Sequence, residues 1–562
     1  MKMNRKNGQA LILVCMVIVF LVILTAPLFN IAISGKNMLK RAKLEKEAFY
    51  LAEGAVEDTI NQFITDVANF QVLANTSRYP ASGTRNTTYA ISPAFPGGAN
   101  TVSFVNATEN SMRTINEGGI NIKVKNFIVE STCVHPANAN TTVTLKRAVT
   151  LRKIATFQHA IFYNDVLELL PGKPMTFAGR VHCNNDIYIA SDGSNLTIDS
   201  DYLLSAGNIY NRRKDSNATV AGAVNIKVAG TNTTQNMHTD PILDCNNTNW
   251  ASESQTRWNG TVQSSVHGVT KLAVPVVGSL KPSDGYYMNN SGLKIIGTTI
   301  TRGGVTLTQD GTTGHGKIPI GTITTTTLYN FREGRNITTT NIDLKKLAGW
   351  ENITNRSYDN NLPSNGLIYA TTNSSDTPVN TTAIRLVNGS EIYSNDAYGG
   401  VTSPSGGLTV VSNDPIYVQG NYNTLNKTST AVICDSVNIL SNSWNDSNST
   451  ALLSSGRRIA GNTTVNTAFI AGVNTTTSGN YNGGLENYPR LLEDWSGKTL
   501  NITGCFIELW NSTAATGAWN TTGVYSAPTR IWSYDQSFAS GNALPPLTPS
   551  AIEAQKSTWW KQ

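Results

Sequence analysis

The chain has 562 residues, enough for three or four domains by length or for one elongated repetitive one. Only 14% of residues are charged, well below the usual quarter, so long solvated helices are excluded for most of its length. The net charge of +6 comes largely from Lys2, Arg5, Lys6, Lys36, Lys40, Arg41, Lys43 and Lys46. No long basic stripe recurs afterwards, which argues against nucleic acid as a partner.

The first element is a short basic stretch, Met1 to Gly8, running into an apolar block from Ala10 to Phe29. At about 20 residues the block is long enough to cross a bilayer as a helix. It carries no charge between Lys6 and Lys36, and Pro27 lies near its outer end, where a kink is tolerated. No Ala-x-Ala signal-peptidase site follows it, so the basic end is expected to stay cytoplasmic and the block to stay attached. Leu44, Ala48, Phe49, Leu51, Ala52, Ala55, Val56, Ile60, Phe63 and Ile64 then recur near helical spacing, with Lys43, Glu45, Lys46, Glu53, Glu57 and Asp58 on the other faces. The pattern predicts one helix of roughly 50 residues, apolar first and amphipathic later, ending at Val67.

Asn7-Gly8-Gln9-Ala10-Leu11-Ile12-Leu13-Val14 resembles a type IV prepilin leader and junction. Glu47-Ala48-Phe49-Tyr50-Leu51-Ala52-Glu53-Gly54-Ala55-Val56-Glu57 resembles the end of the N-terminal domain of PilX-type pilus assembly proteins. The resemblance implies cleavage after Gly8 by a prepilin peptidase, Gln9 as mature N-terminus, and helix-to-helix packing with other pilin-like subunits. A simple signal anchor is the plainer alternative. Major pilins carry glutamate at the fifth mature position, whereas this chain has Leu13. A carboxylate in hydrocarbon is costly unless paired, so its absence alters docking and favours a minor or tip subunit of a type IV pilus-like or type II secretion-like filament.

Residues 68–155 are expected to form a β module packed on the amphipathic part of the helix. Thr88–Ile91, Thr101–Val105, Ile120–Val129 and Thr142–Leu151 alternate apolar and polar residues, the period of half-buried strands. From Phe157 strands shorten and Gly, Asn or Asp punctuates them, as in Ile187–Ile189, Leu196–Ile198, Gly407–Val411 and Val437–Leu440. Residues 156–531 therefore read as a right-handed parallel β-helix or β-solenoid, with a β-sandwich as the alternative. The fold class is mainly β with one long N-terminal helix. Residues 532–562 form a Pro- and Trp-rich tail, in which Trp559 and Trp560 are expected to plug the last coil or to anchor a partner.

No catalytic constellation, cofactor or metal site emerges. Asp186, Asp192, Asp199 and Asp201 cluster, and Asp240 and Asp244 flank a turn, but aspartate at β-turns is the ordinary structural use. The histidines, His135, His159, His182, His238, His267 and His315, are dispersed without a metal-ligand spacing. Cys15 lies in the apolar block. Cys133, Cys183, Cys245, Cys434 and Cys505 are widely spaced and odd in number, and are expected as isolated buried thiols. Asn-x-Ser/Thr sequons are abundant from Asn75 to Asn520, and are read as turn formers and stacked side chains rather than acceptors. The chain thus reads as a non-enzymatic, membrane-anchored envelope protein with its ectodomain outside, displayed on a filament and contacting surface glycans. The alternative is a surface β-helix that binds or cleaves carbohydrate.

Overall fold

The computed structural model describes residues 5–70, 82–89, 98–106, 112–135, 138–239, 241–311, 317–351, 358–392, 406–519 and 523–561. One helix spans Arg5–Ala68 with Pro27 inside it. Its 64 residues correspond to about 96 Å at 1.5 Å per residue. Every residue from Gly8 to Lys43 is exposed, whereas Ala48, Leu51, Ala52, Ala55, Val56, Thr59, Ile60, Phe63 and Val67 are buried. Their i, i+3, i+4 recurrence places them on one stripe.

That stripe lies on an antiparallel sheet. The strand order is Ser82–Tyr89, Gly98–Asn106, Ile120–Val134, Thr142–Ala155 and Ser550–Lys561, with Arg113–Glu117 folded back on Ile120–Val134. Val129, Val149, Leu151 and Ile552 pack against Ala55, Val56, Ile60 and Phe63. Further along the helix, Cys133, Val143 and Leu145 pack against Ala48, Leu51 and Ala52.

The fifth strand corrects the sequence expectation. The residues read as a terminal tail, 532–562, contain the strand Ser550–Lys561, which pairs with Thr142–Ala155 in the helix-bearing sheet. Trp559 packs beside the helix rather than over a coil end, and Trp560 points partly to solvent. Residues Thr529–Tyr534 form another strand, paired in parallel with Thr499–Glu508.

The larger body consists of stacked short strands paired mostly in parallel. Ile161–Tyr163, Leu167–Leu169 and Met175–Ala178 make one turn of chain, and Val181–Cys183, Ile187–Ile189 and Asn195–Asp199 the next. Each strand pairs in parallel with its counterpart, Ile161 with Val181, Leu167 with Ile187 and Phe177 with Ile198. The apolar residue at each corresponding position is buried, so every turn covers the last.

A single ladder runs through the whole stack. It reads Leu293, Ile368, Val410, Val432, Phe469, Phe506, Ile161, Val181, Leu203 and Val262. Chain order and spatial order differ along it. The chain enters mid-ladder at Ile161, proceeds to one end at Val262, crosses to the opposite end at Leu293, and returns to pair Phe506 with Ile161. Tight corners need glycine where coils touch: at Gly407, φ is +103° and a Cβ would lie 1.8 Å from the Ser429 carbonyl oxygen.

The six cysteines form no disulfide. Cys133, Cys183, Cys434 and Cys505 are buried, Cys245 is half-buried and Cys15 is exposed on the helix. Burial raises the Cys133 thiol to about 11, which keeps it protonated and unreactive.

Candidate assembly surface

The bare half of the helix is the most distinctive surface of the molecule. Leu11, Ile12, Leu13, Phe20, Leu28 and Phe29 are among its large apolar side chains left open. It is the one helix among the described residues long and apolar enough to cross a membrane. A soluble monomer rarely exposes so large a continuous apolar surface, so something other than water must cover it.

Gly8, Gln9, Leu13 and Pro27 all lie on this exposed half, in continuous helix, and Leu13 is 66% exposed. Phe49 and Glu53 lie on the other half. Phe49 is half-buried and, like Trp559, packs against the cluster around Ala48 and Leu51, and its ring meets Tyr50 edge-on at 5.8 Å. Glu53 is half-buried, with no ion pair among the described residues. The structure therefore divides the six positions between a free surface and an anchorage.

The anchorage contains residues that local sequence reading does not find. Glu57 receives both Arg147 and Lys556, the latter at 2.5 Å. Lys561 donates to Glu45 at 2.6 Å, and this bond holds the Glu45 carboxyl below its usual range. Glu47 meets the His135 Nε2 at 2.9 Å, and the Arg147 guanidinium lies 4.4 Å over the Trp559 ring. The partly buried pairs of Glu57 are each worth about 0.2–1 kcal/mol. Burying one large apolar side chain contributes about 1.5–3 kcal/mol. The stripe therefore holds the helix, while the charges fix its register.

Asp186, Asp199, Asp201 and Asp244, singled out from sequence, make structural contacts. Asp186 Oδ1 accepts from the Asn208 backbone N–H at 2.7 Å, bracing the next coil. Asp199 and Asp201 are exposed and flank Lys227 at 3.9 and 3.3 Å. Asp192 is exposed in a turn. Asp244 is buried and accepts from the backbone N–H groups of Asn211 and Asn246. Asp240 and His315 lie outside the described residues. His182 meets Asn184 Oδ1 at 3.2 Å and His238 meets Asn211 Oδ1 at 2.9 Å, so each is tied to a neighbouring amide.

A polar cavity of about 240 Å³ is lined by residues of both the helix-bearing sheet and the stack. Of its two carboxylates, Glu117 accepts from the Arg152 Nη2 at 2.9 Å and Glu553 forms an ion pair with the same guanidinium at 2.9 Å.

No protein-family model matches the sequence, and no curated protein matches it. Among solved structures, the chain aligns with the competence-associated pilin ComZ of Thermus thermophilus. The alignment covers 92% of this chain and 98% of that one, at 11% identity and a TM-score of 0.26.

Proposed function

We propose that this chain is a pilin-like subunit of a surface filament, of the type IV pilus or type II secretion kind, held in the membrane before assembly. One observation carries the reading. A single continuous helix leaves its apolar half bare and buries its amphipathic half in a β sheet. The bare half suits lipid first and the helices of neighbouring subunits afterwards, because both bury the same side chains.

In this reading a prepilin peptidase cuts after Gly8, Gln9 becomes the N-terminus, and the basic leader holds the cytoplasmic side. The PilX-type resemblance of Glu47 to Glu57 agrees with it. The stacked ectodomain is a display scaffold for contact with surface glycans, without turnover. Leu13, in place of a pairing carboxylate, and the bulk of the stack both favour a minor or tip position.

Quantitative mass spectrometry of sheared filaments tests this. The chain is expected at less than one-tenth the abundance of a smaller major subunit. Equal abundance along the shaft would contradict the minor role, and absence from filaments would contradict the assembly itself.

A further inference from the structure

The sequence holds 62 asparagines and 114 serines or threonines in 562 residues, so random placement would give about 13 Asn-x-Ser/Thr sequons. It has 24. None lies before Asn75, although Asn4, Asn7, Asn30, Asn37, Asn61 and Asn69 precede it. The excess is confined to the part that follows the membrane-length helix.

The structure separates these asparagines from the others. Of the 18 sequon asparagines whose exposure is described, 14 are exposed and none is buried. Of the 29 other described asparagines beyond residue 70, only seven are exposed and ten are buried. The buried ones do the stacking work expected of asparagine in such a fold. Asn423 Nδ2 donates to the carbonyls of Thr428 and Asn466, and Asn184 Nδ2 to that of Leu272. A composition rich in Asn and Thr would not by itself sort the two classes in this way. The expectation that the sequons serve as stacked side chains holds for some, such as Asn388 and Asn501, which bond Asp343 and Thr464, and fails for the exposed ones that bond no neighbouring segment.

Turn formation accounts for only some of them, among them the sequon residues Asn373 and Asn445. A turn-forming asparagine accepts a backbone N–H two residues on, as Asn373 does from Ser375 and Asn445 from Ser447. Asn140, Asn195, Asn232, Asn336 and Asn380 are exposed sequon residues whose side chains make no hydrogen bond among the described residues. Their amides are open to an incoming enzyme.

We propose that the exposed sequon asparagines, foremost these five, are N-glycosylation acceptors. The co-reactant is a lipid-linked oligosaccharide diphosphate, presented by a membrane transferase on the side of the ectodomain. The asparagine Nδ2 forms a bond to the anomeric carbon, and the bond from that carbon to the diphosphate oxygen breaks. The lipid diphosphate leaves with the electron pair, and one amide proton passes to a base of the transferase. The modification requires only exposure on the outer side, so it stands whether or not the chain enters a filament.

The test is peptide mass spectrometry on the full chain purified from its native envelope. Peptides carrying the five asparagines are expected to be heavier by at least one sugar residue, and amidase release should leave aspartate at those positions. Detection of all five solely as unmodified asparagine would overturn the proposal. In the native host, replacing all five with glutamine should lower the intact mass by the attached sugars while leaving strand content unchanged. An intact mass altered only by the substitutions themselves would also overturn it.

Discussion

A chain ending at Pro549 is expected to release the packed half of the helix from its sheet. The strand Ser550–Lys561 supplies Ala551 and Ile552, both essentially fully buried, together with Trp559 beside the helix and the lysines that reach Glu57 and Glu45. Truncating one buried isoleucine to alanine costs about 2–5 kcal/mol, and here a whole strand is lost. Ile552 also exchanges backbone hydrogen bonds with Ala273, at 2.8 and 2.9 Å, so the deletion frees one strap between sheet and stack as well. Limited proteolysis of the truncated chain should cut between Ala48 and Ala68 at rates at least tenfold above those of the full chain. Ile552→Ala should show the same pattern more weakly. Unchanged cleavage in both variants would mean that the sheet holds the helix without its last strand.

The second large effect is a loss of stability as pH rises through neutrality. Glu508 sits where the two arcs of the stack meet, in the strand that pairs with Ile161–Tyr163. It is fully buried. Its Oε2 accepts the N–H groups of Asn164 and Asp165, while Oε1 has no hydrogen-bond partner. Burial pushes its carboxyl up to about 8, and burial likewise brings Glu486 and Glu493 to about 7. In the unfolded chain these groups titrate near 4.5. Between those limits the folded state holds protons that the unfolded state has released, so the stability these three groups contribute is full below pH 4.5 and is lost progressively until pH has passed 7 to 8. A tenfold change in proton affinity corresponds to about 1.4 kcal/mol, so Glu508 alone accounts for a loss on the order of 5 kcal/mol across the whole window, of which about 3 kcal/mol falls above pH 6. Carboxylates held below their usual range, such as Asp446 beside Arg385, act only in acid and do not overlap this window. The urea midpoint at pH 8.5 should lie well below that at pH 6, and Glu508→Gln should flatten the difference. A midpoint that stays level or rises would contradict the assignment.

The helix and its sheet were legible because their periods are local. The spacing of Ala48 through Phe63 predicted the buried stripe, and alternation in Ile120–Val129 and Thr142–Leu151 predicted two strands that run on to Val134 and Ala155. Ile187–Ile189 and Val437–Leu440 form strands at the boundaries read from sequence. What local pattern cannot carry is pairing between distant segments. Phe506 beside Ile161 closes the stack across some 340 residues of chain, and nothing in either neighbourhood announces it. The terminal strand was hidden for a different reason. Its Glu553–Lys561 stretch lacks alternation, and a register shift between Lys556 and Trp559 breaks the two-residue period. Threonine-rich Ile323–Asn330 and Arg335–Asp343 pair as a long hairpin, although few of their residues are apolar, because β-branched threonine suits a pleated surface.

The candidate surface was legible in the same uneven way. Leu13 and Pro27 sit on the bare helix, within the apolar block read from sequence, and Gly8 and Gln9 continue the same helix towards its start. The anchoring partners Arg147, Lys556 and Lys561 come from strands far along the chain and needed the fold to bring them to Glu57 and Glu45.

Sequencing the N-terminus of the protein recovered from the cell envelope tests the central claim most directly. Processing as a pilin-like subunit predicts a chain that begins at Gln9, with residues 1–8 removed and the apolar helix intact. Recovery of a chain that still begins at Met1, with no Gln9 terminus, would contradict it.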